Sequence, residues 1–478
     1  MPCAKSNRIT GLITLAVFSA LLFCGGSNSA IAQEPPTAIP AGGPAPYDPN
    51  AIAVGRWLLF PSVNFLAQSS NNFFLSSTST KIHGWEFGVT PSATGVWSDG
   101  INTTTVYGNV QRLEYPTDNL FNSTNGEGTF TQQYAPLRDL NFTFSADYQH
   151  QTLQGAFTNS IPNSIPFTGF TVLPNGNTVL PNGTIINPEG QVVGQVGPTV
   201  SSTPLQIINP YDQYTATGKV QKLFSDGIVT VGASIARTNY VNAVVAGAPN
   251  SNFTNKTYSE DAAFWLGPLF YFYTDGTFNR RTTEALTGPS SDSTAYRIIG
   301  GIGTRQFGLF RASAYFGHQG STSPGSGTSP SSSQGGNVFG GTVSYYPTPA
   351  WTFSLNVDET INLAPANAVP STQAIAIPGI TPLQIALSNS TQITSTSLRS
   401  NYEINPQWSL IGTFAYTHVD NIGSPIWDNS YVFDGQVTYN MWRNLTLSWE
   451  YQYSSIVSNA PGGTAARNLG IMSATYKF

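Results

Sequence analysis

The side chains that could do chemistry in this sequence are four histidines and a small set of charged residues. The histidines are His83, His150, His318 and His418. A histidine beside a serine could serve as the base of a lipase-like hydrolase, and grouped histidines could bind a metal ion. No spacing links the four, and the sequence has no His-Glu-x-x-His, Gly-x-Ser-x-Gly or phosphate-binding glycine motif. The sequence therefore predicts no catalytic site, no enzyme activity, no metal site and no cofactor.

The charged residues inside segments of alternating hydrophobicity say more than the histidines do. In a membrane-spanning barrel every second residue faces lipid, where an Arg or Lys at the midplane costs about 2–4 kcal/mol. Strand charges should therefore fall on the polar face, and most of them do, whereas Arg237 needs a bulge or a position at the outer rim. The predicted pore-lining residues are Arg297, Arg305, Arg311, Arg399, Asp147, Asp358, Asp434, Glu450 and Lys477.

The distribution of these charges is uneven along the chain. Asp434 and Glu450 belong to neighbouring predicted strands, and a basic group comes from three successive strands elsewhere. Opposed basic and acidic walls would create a transverse field that steers charged solutes. Two interpretations stay open: an arginine strip that guides anionic or sugar-like solutes, or charges that pair across strands and fill the lumen. The basic group consists of Arg280 or Arg281, Arg297, Arg305 and Arg311.

Composition indicates which kind of fold must position these residues. Charged residues make up 9% of the 478 residues and aromatic residues 12%, whereas soluble domains carry roughly 25% charged residues. Past the N-terminus no apolar run is long enough for a transmembrane helix. These features favour an all-β fold, a closed antiparallel transmembrane β-barrel whose apolar surface is spread over many strands.

The N-terminus predicts an exported protein. Lys5 and Arg8 precede an apolar stretch, and a small-x-small pattern ends at Ala32, which together predict a signal peptide over 1–32. Residues 33–54 form a proline-rich segment, interpreted as a periplasmic tail, with a tether to a periplasmic partner as the alternative. Residues 55–478 form the predicted barrel.

Cysteine usage and charge exclude several functions. Cys3 and Cys24 both lie in the predicted signal peptide, so the mature chain has no disulfide and no thiol chemistry. A lipoprotein attached through Cys24 is the alternative, but the bulky Phe23 before it argues against lipid attachment. The formal net charge of −5 becomes more negative when Lys5 and Arg8 are removed, and we expect no nucleic-acid partner.

Two segments show the strand pattern most clearly. From Leu445 to Ser454 and from Leu140 to Gln151, apolar and polar residues alternate, as expected of strands with one lipid face and one lumen face. Short turns separate long loops, and the insert Leu153 to Asn209 is predicted as a large outer loop. The predicted short turns are Ser98-Asp99-Gly100, Ser225-Asp226-Gly227, Thr274-Asp275-Gly276, Pro347-Thr348-Pro349, Asn405-Pro406 and Trp442-Arg443-Asn444.

Strand parity refines the predicted count. A first count gives 17 strands, but bacterial barrels normally have an even number, with both chain ends in the periplasm. Pro136 to Leu140 resembles Met441 to Leu445, which begins an outgoing strand after a turn, so a short strand near Thr129 to Tyr134 must precede it. The prediction is about 18 strands, wide enough for an aqueous channel unless plugged.

The last strand is the most specific signal of localisation. Tyr476 and Phe478 share one face of a predicted strand from Arg467 to Phe478. A terminal aromatic with alternation behind it resembles the signal that the outer-membrane assembly machinery recognises in its substrates. In addition, four tryptophans near short turns are predicted to form a girdle at the membrane interface, rather than to stack on sugars. They are Trp97, Trp351, Trp408 and Trp442.

The first strands resemble the β-barrel porin type 2 family. The residues that carry the resemblance are Val54 to Val63, Asn71-Asn72-Phe73-Phe74, Val89-Thr90-Pro91-Ser92 and a tyrosine-rich third strand ending at Tyr115. The Asp that usually precedes the Asn pair is replaced by Ser69-Ser70. The motifs cover about the first hundred mature residues. The resemblance implies a closed outer-membrane barrel, linked in some members to exopolysaccharide operons, and it supplies no catalytic residues.

These observations predict a passive diffusion channel for small hydrophilic solutes in a Gram-negative outer membrane, after cleavage near Ala32. The alternatives are an accessory barrel for exopolysaccharide export and a non-conducting barrel that acts through its surface loops. Expected partners are outer-membrane lipids, the barrel assembly machinery, and a polysaccharide or small hydrophilic solutes.

Overall fold

The structure is a computed structural model. It describes residues 51–73, 81, 83–117, 119–157, 205–241, 252–284, 291–323, 332–362, 391–422, 426–459 and 464–478, together with short strands within 171–195 and 371–387. The predicted signal peptide, its cleavage site and most of the proline-rich tail lie outside the described residues.

The described residues form one barrel of 18 strands. We number them β1 (Trp57–Ser70), β2 (Gly84–Ser98), β3 (Asn102–Glu114), β4 (Ser123–Leu137), β5 (Leu140–Phe157), β6 (Leu205–Phe224), β7 (Gly227–Tyr240), β8 (Phe253–Leu266), β9 (Phe270–Thr283), β10 (Ser291–Thr304), β11 (Phe310–Ser323), β12 (Ser332–Thr348), β13 (Trp351–Asn362), β14 (Thr391–Asn405), β15 (Trp408–Asn421), β16 (Trp427–Trp442), β17 (Leu445–Ser458) and β18 (Ala465–Lys477). The all-β closed antiparallel barrel and its strand count confirm the predicted fold.

Shorter elements accompany the barrel. Ile52–Val54 pairs with the start of β1, and Asn119–Phe121 is a 3-10 turn between β3 and β4. Two small sheets lie in long connections, one of four strands within 171–195 and one of two strands within 371–387. No helix in the part of the chain that the structure describes is long and apolar enough to cross a membrane.

The barrel closes because β1 pairs antiparallel with β18. Ser62 lies opposite Lys477 and Ser70 opposite Leu469, and the Phe478 amide donates to the Pro61 carbonyl at 3.0 Å. Every other barrel strand pairs antiparallel with its neighbours in sequence, for example β17 with β18 from Leu445–Tyr476 to Ile456–Ala465. Closure satisfies the edge amides and carbonyls that would otherwise lie unpaired in hydrocarbon.

Alternation along each strand produces the two faces. On β17, Trp449 and Tyr451 are exposed at the outer surface, while Gln452 and Ser454 are completely buried on the other face. The outer face of the barrel is rich in exposed large apolar side chains, as expected where lipid replaces water. The polar face of each strand therefore lines the lumen.

Short turns and the two chain ends lie at the same end of the barrel, which we take as periplasmic. In the turn after β2, the Asp99 carboxylate accepts the Asn102 amide at 2.6 Å and the Ile101 amide at 3.0 Å. In the turn after β14, the Asn405 side-chain oxygen accepts the amides of Gln407 and Trp408 at 2.8 and 3.0 Å. These local hydrogen bonds are the mechanism by which Asp and Asn favour turns.

One predicted turn is wrong. Thr274-Asp275-Gly276 lies inside β9, and the turn between β8 and β9 is at 267–269, where Gly267 has a φ of 90°. Gly267-Pro268 also has turn chemistry, since glycine tolerates positive φ and proline has no N–H for a ladder. Local composition could not decide between the two sites. The shift places Asp275 in the membrane-spanning wall.

The weak strand that parity required exists and is longer than predicted, because β4 covers Ser123–Leu137. β5 and β6 extend well into the segment predicted as an outer loop, with Leu153 opposite Asn209. The four girdle tryptophans all lie at the periplasmic ends of strands. Trp351 and Trp408 begin β13 and β15, Trp442 ends β16, and Trp97 is next to last in β2.

Candidate functional site in the lumen

The lumen face of β8–β13, which we call the first wall, is a layer of aromatic and aliphatic side chains over glycines. Tyr271 and Tyr273, both buried, lie directly over Gly303 and Gly301, and Tyr315 covers Gly340 in the same way. A side chain in place of any of these glycines would overlap the aromatic ring. Such pairing of an aromatic residue with a glycine on the neighbouring strand also fixes the register.

Arg297 lies at the centre of the first wall. Its guanidinium is 4.0 Å from the Asp275 carboxylate on β9 and 3.8 Å from that of Asp358 on β13. The Tyr315 hydroxyl donates to Asp358, and the Tyr315 ring centroid is 5.1 Å from the guanidinium carbon. One arginine on β10 thus connects a carboxylate on the neighbouring strand β9 with one on β13, across the two intervening strands β11 and β12.

A second carboxylate stands beside Asp275. Asp261 on β8 lies directly opposite Asp275 in the register, and the two carboxyl groups are within hydrogen-bond reach. Both residues are near the middle of their strands. Asp275 is buried, and Lys219 on β6 acts electrostatically on Asp261. The first wall therefore carries a carboxylate pair next to Arg297.

The lumen face of β14–β18, the second wall, carries a similar set of charges. Asp434 on β16 and Glu450 on β17 are within hydrogen-bond reach of each other. Arg399 and Asp434 both lie directly opposite Thr413 in the register. In a closed ring of 18 strands this carboxylate pair is almost opposite the Asp261–Asp275 pair. Both pairs are near mid-height of the barrel.

The second wall differs from the first in the side chains around its charges. Asp434, Thr413 and Gln452 are at most 6% exposed. The Arg467 guanidinium donates to the Gln452 side-chain oxygen at 2.5 Å. The side chains packed around these polar groups therefore screen them from open water.

The other predicted pore-lining residues lie apart from these two clusters. Arg311, at the start of β11, and Lys477, at the end of β18, face the lumen at the periplasmic end, and Asp147 on β5 faces it elsewhere. Arg305 belongs to the turn after β10, where its guanidinium lies 4.4 Å from the Trp265 ring centroid. Arg280 faces outward and pairs with Asp292.

The ion pairs of Arg297 favour the second of the two interpretations, charges that pair across strands, over an arginine strip. Arg297 is the one predicted strip residue at the centre of the first wall, and it shares that wall with Asp261, Asp275 and Asp358. The sequence missed Asp275 because Asp-Gly was assigned to a turn. The alternation of outward-facing and lumen-facing residues around Tyr258 on β8 and Phe278 on β9 would have been the signal that both strands continue past this point.

The four histidines lie outside both clusters. His150 on β5 is 2.8 Å from Asp212, His418 on β15 is 3.0 Å from Asp420, and His318 lies at the outer part of β11. Among the described residues, no group of three or more His, Cys, Asp or Glu is arranged to hold a metal ion. Arg237 is at the outer rim of β7, the second of its two predicted explanations.

No family model and no curated protein sequence matches this chain. Solved barrels do match. The FrpB iron transporter from Neisseria meningitidis is 10% identical with a TM-score of 0.47, and the match covers 90% of this chain and 83% of that one. The siderophore receptor PirA from Acinetobacter baumannii is 8% identical with a TM-score of 0.45, covering 88% and 80% of the two chains.

A third match is the ferric yersiniabactin uptake receptor FyuA from Yersinia pestis, 11% identical with a TM-score of 0.39, covering 90% of this chain and 81% of that one. At such identities the likeness concerns the fold alone. It identifies no ligand. The resemblance to the β-barrel porin type 2 family stays a prediction.

These comparisons correct the predicted function. The matched barrels are named as an iron transporter and as receptors, and none of the three is named as a porin, so the prediction of a passive diffusion porin is not upheld by these matches. The link to exopolysaccharide finds no support among them either. Transport across the outer membrane is the part of the prediction that agrees with the matched proteins.

Proposed function

We propose that this chain is an outer-membrane transport barrel that selects its solute by binding it in the lumen. The preferred solute carries positive charge or several hydrogen-bond donors. The observation that carries the proposal is the pair of carboxylate clusters, Asp261–Asp275 and Asp434–Glu450, on opposed walls at mid-height. A solute that passes between these walls meets acidic groups on both sides.

The chemistry of the two clusters favours cations over anions. On the first wall Asp261, Asp275 and Asp358 stand with Arg297 and Lys219, and on the second Asp434 and Glu450 stand with Arg399. Acidic groups thus outnumber basic groups by one in each cluster. A unit charge at 4 Å contributes about 1 kcal/mol in bulk water and more where the wall excludes water. This amounts to about a fivefold preference per charge.

The test is uptake into liposomes that contain the folded barrel. We expect saturable uptake of arginine, slower uptake of its neutral counterpart citrulline, and the slowest uptake of glutamate. Saturation is the expected sign of a binding site in the lumen. A flux that rises linearly with concentration and equally for all three solutes would contradict the proposal.

Variants connect this preference to the two walls. Asp275→Asn and Asp434→Asn should each lower the ratio of arginine to citrulline uptake by about fivefold. The matched control is Asp226→Asn, in the exposed periplasmic turn after β6, which should leave the ratio unchanged. Equal effects of all three substitutions would show that the overall charge of the barrel, and not the lumen clusters, sets the preference.

A further inference from the structure

Three basic residues lie on the lipid-facing side of the barrel, at the outer ends of β7, β8 and β9. Each lies two positions from an exposed residue on its own strand: Arg237 from Ile235, Lys256 from Tyr258, and Arg280 from Phe278. Residues two apart on a strand share a face. We call Arg237, Lys256 and Arg280 the outer basic cluster.

The register brings two of these charges together. Lys256 lies directly opposite Arg280, and Arg237 lies opposite Thr254, two residues from Lys256. Directly opposed residues have Cβ atoms about 4.5–5.5 Å apart, and like charges in such positions are destabilising. An anion bound between them would remove this repulsion.

The acidic residues nearby compensate only part of the positive charge. Arg237 is 3.1 Å from Glu284 and Arg280 is 2.6 Å from Asp292, but both arginine side chains stay more than half exposed. Lys256 is exposed and has no ion pair among the residues that the structure describes. The connecting segments 242–251 and 285–290 contain no charged residue. The cluster therefore keeps a positive excess.

The height of the cluster matches the headgroup layer of a membrane. Each of its residues is three positions from the outer end of its strand. With the rise of a strand and a tilt of about 40°, this places them roughly 8 Å below the strand ends. Directly below, the exposed side chains of Tyr258, Phe278 and Ile298 offer an apolar surface for acyl chains.

We propose that the outer basic cluster binds the phosphate groups of the phosphorylated glycolipid in the outer leaflet of the outer membrane. The guanidinium groups of Arg237 and Arg280 suit bidentate binding of phosphate, and Lys256 adds a point charge between them. The acyl chains of the same lipid lie against Tyr258 and Phe278. Basic side chains near a membrane surface contribute about 1 kcal/mol each toward anionic lipid.

The experiment measures binding of purified rough-type lipopolysaccharide to the folded full-length barrel in detergent, by native mass spectrometry or by quenching of a labelled lipid. The probe is used intact and after removal of its phosphates. The double variant Lys256→Gln with Arg280→Gln should bind the intact lipid at least about tenfold more weakly. Asp292→Asn, which releases Arg280 from its ion pair, should bind it more tightly.

Two controls separate this effect from misfolding and from general charge. Lys222→Gln removes a lipid-facing lysine at the periplasmic end, where Lys222 pairs with Asp139, and should leave binding unchanged. A difference in gel migration between the unheated and the heated protein shows that each variant is folded.

Three results would overturn the proposal: equal binding of the phosphorylated and dephosphorylated lipid, unchanged binding by the double variant, or a wild-type dimer that the double variant dissociates. The last result would assign this face to contact between two copies of the chain.

Discussion

The two walls of the lumen hold similar charges in different ways. On the first wall, Arg297 reaches Asp275 and Asp358 across a surface of glycines covered by tyrosines. On the second wall, Asp434 lies among buried Thr413 and Gln452. On the first wall, glycines leave room for long side chains. On the second wall, short hydroxyl and amide groups surround the charges.

Two walls that carry similar charges can therefore differ in how well they tolerate substitutions of the residues around those charges. A glycine under a flat aromatic ring leaves no space for a methyl group, because barrel interiors of this kind are closely packed. A wall of threonines and serines has hydrogen-bonding groups that can adjust. We therefore expect substitutions to destabilise the first wall through overlap and to act on the second wall mainly through lost polar contacts.

The largest expected effect is from Gly317→Ala on the first wall. A Cβ there would lie 2.2 Å from the Ile298 carbonyl oxygen, whereas a Cβ at Gly470, on β18, would meet no atom within 4 Å. Gly317→Ala should cost about 2–3 kcal/mol and Gly470→Ala less than about 0.5 kcal/mol. Gly470 faces lipid, opposite the exposed Tyr451, and serves as the unpacked control. Urea unfolding in phospholipid vesicles measures both, and equal losses would contradict the close packing of the first wall.

The lipid-facing sides of the two walls also differ. Glu260, exposed in the middle of β8, faces lipid between Val231 and Gly276. On the lipid-facing side of the strands that form the second wall there is instead an apolar groove that contains Gly412, Phe414 and Phe433. Because a charge is unfavourable in hydrocarbon, Glu260→Leu should stabilise the barrel by about 1–2 kcal/mol.

The same urea measurement tests this change, and its control is Glu114→Gln at the outer end of β3, which should have little effect. A loss of stability in Glu260→Leu would mean that the carboxylate has a partner in the membrane, and the predicted contrast between the lipid faces would fail.

Arginine substitutions test whether the two walls act equally on ions. Arg297→Gln and Arg399→Gln each leave two carboxylates without their arginine, and each should raise the cation-to-anion permeability ratio by about fivefold. Arg305→Gln should leave it unchanged, since that side chain lies over Trp265 at a turn. Reversal potentials in planar bilayers give the ratio. An equal shift in all three variants would show that position in the lumen does not matter.

The smallest expected effect distinguishes two periplasmic turns. Hydrogen bonds from the backbone and side chain of Asn102 and from the Ile101 amide lower the pKa of Asp99. A lowered pKa in the folded state adds stability above the unfolded value of about 4, and this stability is lost as the pH falls through the folded pKa. Asp99→Ala should therefore lower the unfolding midpoint slightly at pH ~7, and the difference should vanish at pH ~2.

Asn405 provides the neutral comparison for Asp99. It makes the same kind of amide contacts in its turn but does not titrate, so Asn405→Ala should lower the midpoint equally at both pH values. The midpoints come from thermal unfolding in detergent. A pH dependence shared by both variants would show that the Asp99 carboxylate is not its source.

Much of the fold could be predicted because it depends on local patterns. Alternation, turn-forming pairs such as Asp99-Gly100 and the terminal Phe478 each concern a few neighbouring residues, and parity supplied the missing strand that became β4. The turn between β8 and β9 could not be predicted in the same way. Asp275-Gly276 and Gly267-Pro268 both have turn chemistry, and only strand pairing selected the second.

The sequence by itself determined which residues share a face of a strand, because side chains alternate with a fixed period of two. This was enough to assign Arg297, Asp358, Asp434 and Glu450 to the lumen. Only the tertiary structure decided which of them meet, because that depends on register and tilt around a closed sheet. The contact of Arg297 with Asp358 across two glycine-rich strands, and the position of Lys256 opposite Arg280, follow from this closure.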